Sequence, residues 1–154
     1  MKKSAGILLY KFNKRELLVF LVHPGGPFWI NKDAGSWTIP KGEYEDEDPL
    51  EAAMREFKEE TGFSIRGKFI PLSPIKLKSG KQVIAFACEG NVEPAKIVSN
   101  TFSIEWPPKS RKTQSFPEVD KAEWFSMDLA KEKINAAQVQ LLDELTDLLS
   151  HQSD

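Results

Sequence analysis

The stretch Arg55-Glu56-Phe57-Lys58-Glu59-Glu60-Thr61-Gly62-Phe63 decides how this chain is read. On a helix turning about 100° per residue, Glu56, Glu59 and Glu60 fall within an arc of roughly 100°. Leu50, Ala53, Met54 and Phe57 share a different, apolar face. Core and carboxylates are therefore neighbours but separate. Like charges three or four residues apart cost a helix roughly 0.2–0.5 kcal/mol per pair when nothing offsets them. With no basic residue expected to neutralise the three acids, the arrangement asks for a metal cation.

Most Glu-rich helical stretches are simply solvated faces, so the flanking residues carry the argument. Asp48 is a good N-cap, Pro49 suits the first helical position, Glu51 completes a capping-box arrangement, and Gly62 stands where a left-handed residue would end the helix. The predicted helix runs from 49 to 61.

In this context the chain resembles the Nudix hydrolases, whose signature is G-x5-E-x7-R-E-U-x-E-E-x-G-U with U a bulky apolar residue. Arg55 to Gly62 fit its second half, with Phe57 and Phe63 at the U positions, and Glu47 stands eight residues before Arg55 as the first glutamate. Gly42 lies one residue nearer Glu47 than the pattern has it, a shortening within the loop Glu43-Tyr44-Glu45-Asp46-Glu47. The likeness extends to His23-Pro24-Gly25-Gly26-Pro27-Phe28-Trp29, the run from Gly35 to Glu45, Glu105-Trp106-Pro107-Pro108 and Phe116-Pro117-Glu118-Val119-Asp120. These stretches are similar to small bacterial proteins described as predicted NTP pyrophosphohydrolases, related to MutT.

The order of elements argues for a mixed sheet between helices. Residues 4–10 and 16–22 read as strands split by Asn13-Lys14-Arg15, a hairpin pattern. Pro24 to Ser36 reads as a long loop, and Trp37-Thr38-Ile39 as a short strand leading to Pro40-Lys41-Gly42. Lys68–Leu77, Gln82–Cys88, Thr101–Trp106 and Ala122–Phe125 are further expected strands, whereas Lys109–Glu118 reads as a polar, mobile stretch. Ser126 can cap a helix beginning near Met127, and Leu141, Leu142, Leu145, Leu148 and Leu149 mark one face of a C-terminal helix. The resemblance sharpens this class, α/β in the broad sense and α+β in the narrow, to an α/β/α sandwich, with the mixed sheet between the motif helix and the C-terminal helix.

Length and charge agree with a small enzyme. A chain of 154 residues with 40% apolar content is expected to form one domain over 1–154. A formal charge of -2 gives no global attraction to nucleic acid or anionic membranes, so phosphate binding must be local. Cys88, the single cysteine, excludes an internal disulfide. Ala5–Tyr10 is too short an apolar run after Met1-Lys2-Lys3 for a signal peptide, and a cytoplasmic location is the expectation. The chain carries no mark of its oligomeric state.

Magnesium prefers hard oxygen donors in octahedral geometry and keeps positions for water and substrate phosphates. The resemblance implies hydrolysis of a nucleoside diphosphate linked to another moiety, by water attack on phosphorus, with Mg2+ (Mn2+ also possible) as cofactor. A nucleoside triphosphate or dinucleoside polyphosphate is the expected substrate class. In that scheme Glu59 and Glu60 are the principal ligands, Glu56 a ligand or water-orienting base, and the carbonyl of Gly42 or Lys41 a further ligand. Arg55 would orient a carboxylate through a bidentate ion pair. Glu118 is the expected loop glutamate that binds metal or takes the proton of the attacking water, with Glu105 its rival. Lys41 is the best-placed phosphate contact, ahead of Lys109, Arg111 and Lys112, and Trp106 is the candidate for stacking on a base. Trp29, Phe28 and Phe116 read more simply as packing, and His23 as the end of a strand. Two other readings are a non-catalytic nucleotide-binding or regulatory module, marked by loss of motif carboxylates, and an RNA-end hydrolase, marked by a basic track. The chain keeps the carboxylates and lacks the track.

Overall fold

The computed structural model describes the backbone of residues 2–152; Met1, Ser153 and Asp154 lie outside the described residues. Strand β1 (Lys3–Asn13) forms its centre, because it is apolar in both directions of the pleat. Leu8 and Tyr10 enter one core cluster and Ala5, Ile7 and Leu9 the other. Burial on both faces is what removes the polar alternation from such a strand.

β1 turns through Lys14-Arg15 into β2 (Glu16–Pro24), with Asn13 opposite Glu16. Residues 41–44 form β3 (Lys41–Tyr44), which pairs antiparallel with the start of β1. Helix α1 (Pro49–Thr61) follows. The short strands β4 (Phe69–Pro71) and β5 (Ile75–Lys76) both pair with β6 (Gln82–Glu89), which in turn runs parallel to β1. β7 (Thr101–Glu105) and β8 (Thr113–Pro117) form a separate antiparallel ribbon. β9 (Val119–Ser126) closes the main sheet beside β2, giving the order β4-β6-β1-β2-β9 with β3 on β1 and β5 on β6. α2 (Met127–Lys133) and α3 (Val139–Gln152) complete the chain.

The sheet lies between two helical layers, as expected. Ala52, Ala53 and Phe57 of α1 pack against Phe20 and Val22 on one face. Ala130 of α2 and Leu141, Leu142 and Leu145 of α3 pack against Val19 and Leu21 on the other. The caps of α1 form where the sequence places them: the Asp48 carboxylate accepts from the backbone N–H of Leu50 and Glu51, and Gly62 takes φ 82°. Glycine is favoured at that left-handed angle because it has no Cβ. Ser126 caps α2 through the N–H of Leu129.

Three expectations are corrected. Trp37–Ile39 is not a strand but makes isolated bridges to Val22 and Ile134. Only Thr38 exchanges backbone bonds with the sheet, at Val22; the flanking amides are claimed from outside it, Trp37 N–H by the carbonyl of Lys133 and Ile39 N–H by Gln138 Oε1. The expected strand over 68–77 is broken in two between Pro71 and Pro74, as residues without an N–H require. The polar stretch 109–118 contains β8, anchored on β7 by the Phe102–Phe116 ring pair at 6.0 Å. A two-stranded ribbon needs little apolar surface, so its pattern is hard to tell from a loop.

Candidate active site

Three chain segments meet at the acidic face of α1. β3 fixes Lys41 opposite Gly6 and Gly42 opposite Ala5, bringing the chain under the helix. Past the end of α1, Asn100 donates its N–H to the carbonyl of Glu59 (2.8 Å) and accepts that of Glu118 (2.8 Å), which draws the β8–β9 junction to the same place. Glu118 thus joins Glu56, Glu59 and Glu60, although 58 or more residues separate it from them in the chain.

Gly42 leaves room for one of these acids. A Cβ at that position would lie 1.9 Å from Glu56 Oε2 and 2.1 Å from its Cδ, so the carboxylate rests against bare backbone. Glu60 is buried and accepts the Lys41 backbone N–H at 3.3 Å. Glu59 and Glu118 are half-buried.

Arg55 corrects the expectation that no basic residue neutralises the triad. Its Nε and Nη2 donate to both oxygens of Glu47, at 2.6–3.1 Å, while Nη1 reaches Glu56 Oε1 at 2.8 Å and both oxygens of Glu59 at 3.2 Å. One guanidinium is therefore shared among three carboxylates. Its paired geometry on Glu47 survives the shortened loop: β3 holds 41–44 in register and Glu47 still reaches the helix, so residues 45 and 46 absorb the missing residue.

The charges remain unbalanced. Burial pushes the Glu60 carboxyl up to about 8, against the pull of Lys41, with Glu56 and Glu118 adding repulsion. Burial also raises Glu56, which Arg55 pulls back and Glu59 and Glu118 push further. Glu118 is raised by burial and by Glu59. Burial lowers the Lys41 ammonium, while Glu60 draws it back up. The Arg55 hydrogen bonds hold Glu47 below the usual carboxylate range.

A cavity of about 270 Å³ opens beside this cluster, lined by Lys41, Glu60 and Glu118 and also by Trp29, Thr38 and Gln138. A wider groove of about 860 Å³ runs outside the shortened loop, but its Lys2 and Arg55 already pair with Glu43 and Glu47. The smaller cavity is the one that brings a lysine and unbalanced acids together.

Several expected contacts fall elsewhere. Glu105 is exposed on the ribbon and accepts the Lys109 N–H, and Trp106 packs edge-on against Phe28 at 5.4 Å; neither lines the cavity. Lys109, Arg111 and Lys112 are exposed at the ribbon turn. Phe116 packs on Phe102. His23 is fully buried, its Nδ1 2.8 Å from Asp120 Oδ1 and its Nε2 2.7 Å from the carbonyl of Lys32, so it ties the long loop to β9. Trp29 does reach the cavity. Gln138, Thr38 and Asn135 escape a reading of the sequence; they carry no motif, and only the tertiary fold brings the α2–α3 junction to the wall.

The donor chemistry suits a hard divalent cation. Glu56, Glu59, Glu60 and Glu118 offer carboxylate oxygens, and the absence of a side chain at Gly42 is what gives the Glu56 carboxylate its place. Among the described residues no three such donors already converge as a closed cage. Magnesium sites seldom need one, since water and substrate phosphates fill the remaining positions.

These features define a class of α/β/α domain that brings oxygen donors to the rim of a ligand cavity. The chain matches the family model of the NUDIX domain over residues 1–145. Among solved structures it is similar to an Ap4A hydrolase from C. elegans in a binary complex, at 21% identity and TM-score 0.66, with 98% of this chain and 99% of that one covered. It is also similar to the NUDIX domain of Shewanella oneidensis NrtR complexed with ADP ribose (16%, TM-score 0.65, covering 96% and 87%). A mutT/nudix family protein from Listeria innocua aligns at 17% identity and TM-score 0.65, covering 98% and 95%. The chain belongs to the Nudix family, and its activity class is nucleotide pyrophosphate hydrolysis. Among the described residues no helix is long and apolar enough to cross a membrane.

Proposed function

We propose that this chain hydrolyses a pyrophosphate bond of a small nucleotide, a nucleoside triphosphate or a dinucleoside polyphosphate, with Mg2+ as cofactor and Mn2+ as a possible substitute. The observation that carries the reading is that Lys41, Glu60 and Glu118 line one cavity while Glu56 and Glu59 lie close enough on the adjoining face of α1 to repel Glu60 and Glu118. Glu56 and Glu60 are buried, and three of the four acids are raised in pKa by burial and mutual repulsion. The likeness to an Ap4A hydrolase and to an ADP-ribose-bound domain supports a substrate with linked phosphates.

Glu59, Glu60 and Glu56 would hold the metal, with the carbonyl of Gly42 or Lys41 as a further donor. When bound, the ion polarises a phosphoryl group and lowers the pKa of a water. Arg55 keeps Glu56 and Glu59 in place while anchored on Glu47, acting as a positioning residue. Lys41 faces the phosphates from beside Glu60. Glu118, raised from its ordinary value by burial and by Glu59, is suited to receive a proton from water at the cavity. A cytoplasmic, single-domain enzyme accompanies this proposal.

The test is metal-dependent product release from a panel of nucleoside triphosphates, dinucleoside polyphosphates and nucleotide sugars, with Glu59→Gln as control. A triphosphate cut between its first and second phosphates leaves monophosphate and pyrophosphate, whereas diadenosine tetraphosphate leaves triphosphate and monophosphate. Cleavage of one class that the variant lacks is the expected result. No turnover with either metal would favour the non-catalytic nucleotide-binding module, against which the intact carboxylates now stand.

A further inference from the structure

Three of the four tryptophans are committed to ring pairs: Trp37 with Phe125 at 5.0 Å, Trp106 with Phe28 at 5.4 Å and Trp124 with Phe20 at 5.4 Å. Trp29 has no aromatic partner among the described residues. Its one ring contact is Lys32 Nζ, 5.0 Å from the centroid, and the residue is 38% exposed where it lines the cavity shared with Lys41, Glu60 and Glu118. A partly exposed indole with no aromatic partner among the described residues, lining a cavity that holds a lysine and two acids, is poised for a flat ligand.

The loop that holds it is built. Trp29 N–H meets the carbonyl of Gly26, the Trp29 carbonyl accepts the Lys32 N–H at 2.9 Å, and the Lys32 carbonyl is held by buried His23 at 2.7 Å. Downstream, Asp33 Oδ1 accepts the Trp37 indole N–H at 2.7 Å and its other oxygen pairs with Lys133.

Another wall supplies a donor. Gln138 is 1% exposed; its Oε1 accepts the Ile39 N–H and its Nε2 donates to Thr38 Oγ1 at 2.8 Å. A carboxamide nitrogen carries two hydrogens, so one has no partner among the described residues, on a side chain that lines the cavity. At about 270 Å³ the space is at the small end for ligand sites, enough for one ring moiety and not for a whole dinucleotide.

We propose that this cavity is the nucleobase subsite: the base lies on Trp29, and the spare Gln138 amide hydrogen meets a carbonyl oxygen or ring nitrogen on the base edge. The assignment rests on the nucleotide reading above and places the sugar and first phosphate toward Lys41 and Glu60. The second half of any dinucleoside substrate then lies outside the cavity.

The test is calorimetric binding of adenosine, guanosine, cytidine and uridine 5′-monophosphates and of ribose 5-phosphate to the wild type, Trp29→Ala, Trp29→Phe and Gln138→Glu. None of these probes has a pyrophosphate bond, so the outcome is independent of turnover. At least one monophosphate is expected to bind the wild type more tightly than ribose 5-phosphate. Trp29→Ala should weaken that ligand roughly 5- to 150-fold, the range of one lost base stack, and leave ribose 5-phosphate unchanged. Trp29→Phe should retain most of the affinity, and Gln138→Glu, folded by its thermal melt, should weaken the same monophosphate alone. Equal binding of the preferred monophosphate by Trp29→Ala and wild type, equal losses for ribose 5-phosphate, or no monophosphate preferred over ribose 5-phosphate would overturn the assignment. Base binding as expected with no turnover of any pyrophosphate would instead refute the hydrolase reading and keep the subsite.

Discussion

Replacing Gly42 with alanine tests the carboxylate cradle directly. The residue is in β3, paired with Ala5, and its φ lies outside the positive range, so the backbone itself accepts an L-residue. Everything therefore turns on the added methyl, which would meet Glu56 Oε2 at 1.9 Å, Cδ at 2.1 Å and Oε1 at 2.5 Å. To restore ordinary contact the carboxylate must retreat by about 1.5 Å, and the retreat breaks the 2.8 Å bond from Arg55 Nη1. Overpacking of this kind costs roughly 1–3 kcal/mol of stability. A displacement of about 1 Å in a catalytic group costs on the order of 10²-fold in rate. The expected outcome is a folded protein with a lowered Tm, a weakened metal dependence and kcat reduced about 10²-fold. Adding Glu56→Asp, one methylene shorter, should recover stability without activity, because the space is regained but the oxygen is not. Steady-state kinetics across a metal titration, with denaturant unfolding alongside, reads both quantities. Wild-type kcat and metal affinity in Gly42→Ala would show that the Glu56 carboxylate is not needed where the structure holds it.

Three further perturbations separate the roles of the other residues. Glu118→Gln should lower kcat by about 10²-fold or more, as expected for loss of a proton acceptor, while Glu105→Gln stays near wild type; the reverse ranking would move the function to the ribbon. Trp106→Ala should lower stability by more than about 1 kcal/mol, since an edge-on aromatic pair adds that much beyond the buried surface it loses, and leave KM unchanged where Trp29→Ala raises it. In chelated, metal-free protein the folded-state value of Glu60, about 8 against the ordinary 4.5, means the unfolded chain ionises first. Stability is then fully present below about 4.5 and is lost as pH rises through about 8. A tenfold difference in proton affinity between the two states corresponds to about 1.4 kcal/mol, so the fall across this window is on the order of a few kcal/mol. Glu60→Gln should flatten it, and an equal slope in both proteins by pH-dependent unfolding would refute the assignment.

Some parts of this fold can be read from the chain because their determinants are local. Asp48, Pro49 and Gly62 fix both ends of α1 through contacts within three or four residues, so the helix begins and ends where the spacing predicts. β1 and β2 are legible as unbroken apolar runs around Lys14-Arg15. Where the partner lies far away, the pattern misleads. Trp37–Ile39 has the composition of a strand, but Lys133 and Gln138, about a hundred residues on, take the Trp37 and Ile39 amides and leave only Thr38 bridged to the sheet. The ribbon strand β8 needs only Phe116 opposite Phe102, a signal too thin to separate from a polar loop.

The site divides along the same line, and the aromatic residues show why. Glu56, Glu59 and Glu60 are placed by helical spacing alone. The sequence predicts that Arg55 orients a carboxylate, but that it spans three of them depends on where its fork points. Trp106 and Trp29 look alike in sequence, each an aromatic within two residues of a proline. What separates them is whether another ring is already paired with the indole: Phe28 pairs with Trp106, and Trp29, one residue further along the same loop, is left at the cavity. That competition is settled by the ribbon docking against the loop, which no spacing rule encodes. The loop is thus more than a connection. It uses Phe28 to hold the ribbon and frees Trp29 for ligand, so shortening 25–36 should disturb ribbon packing and nucleotide binding together.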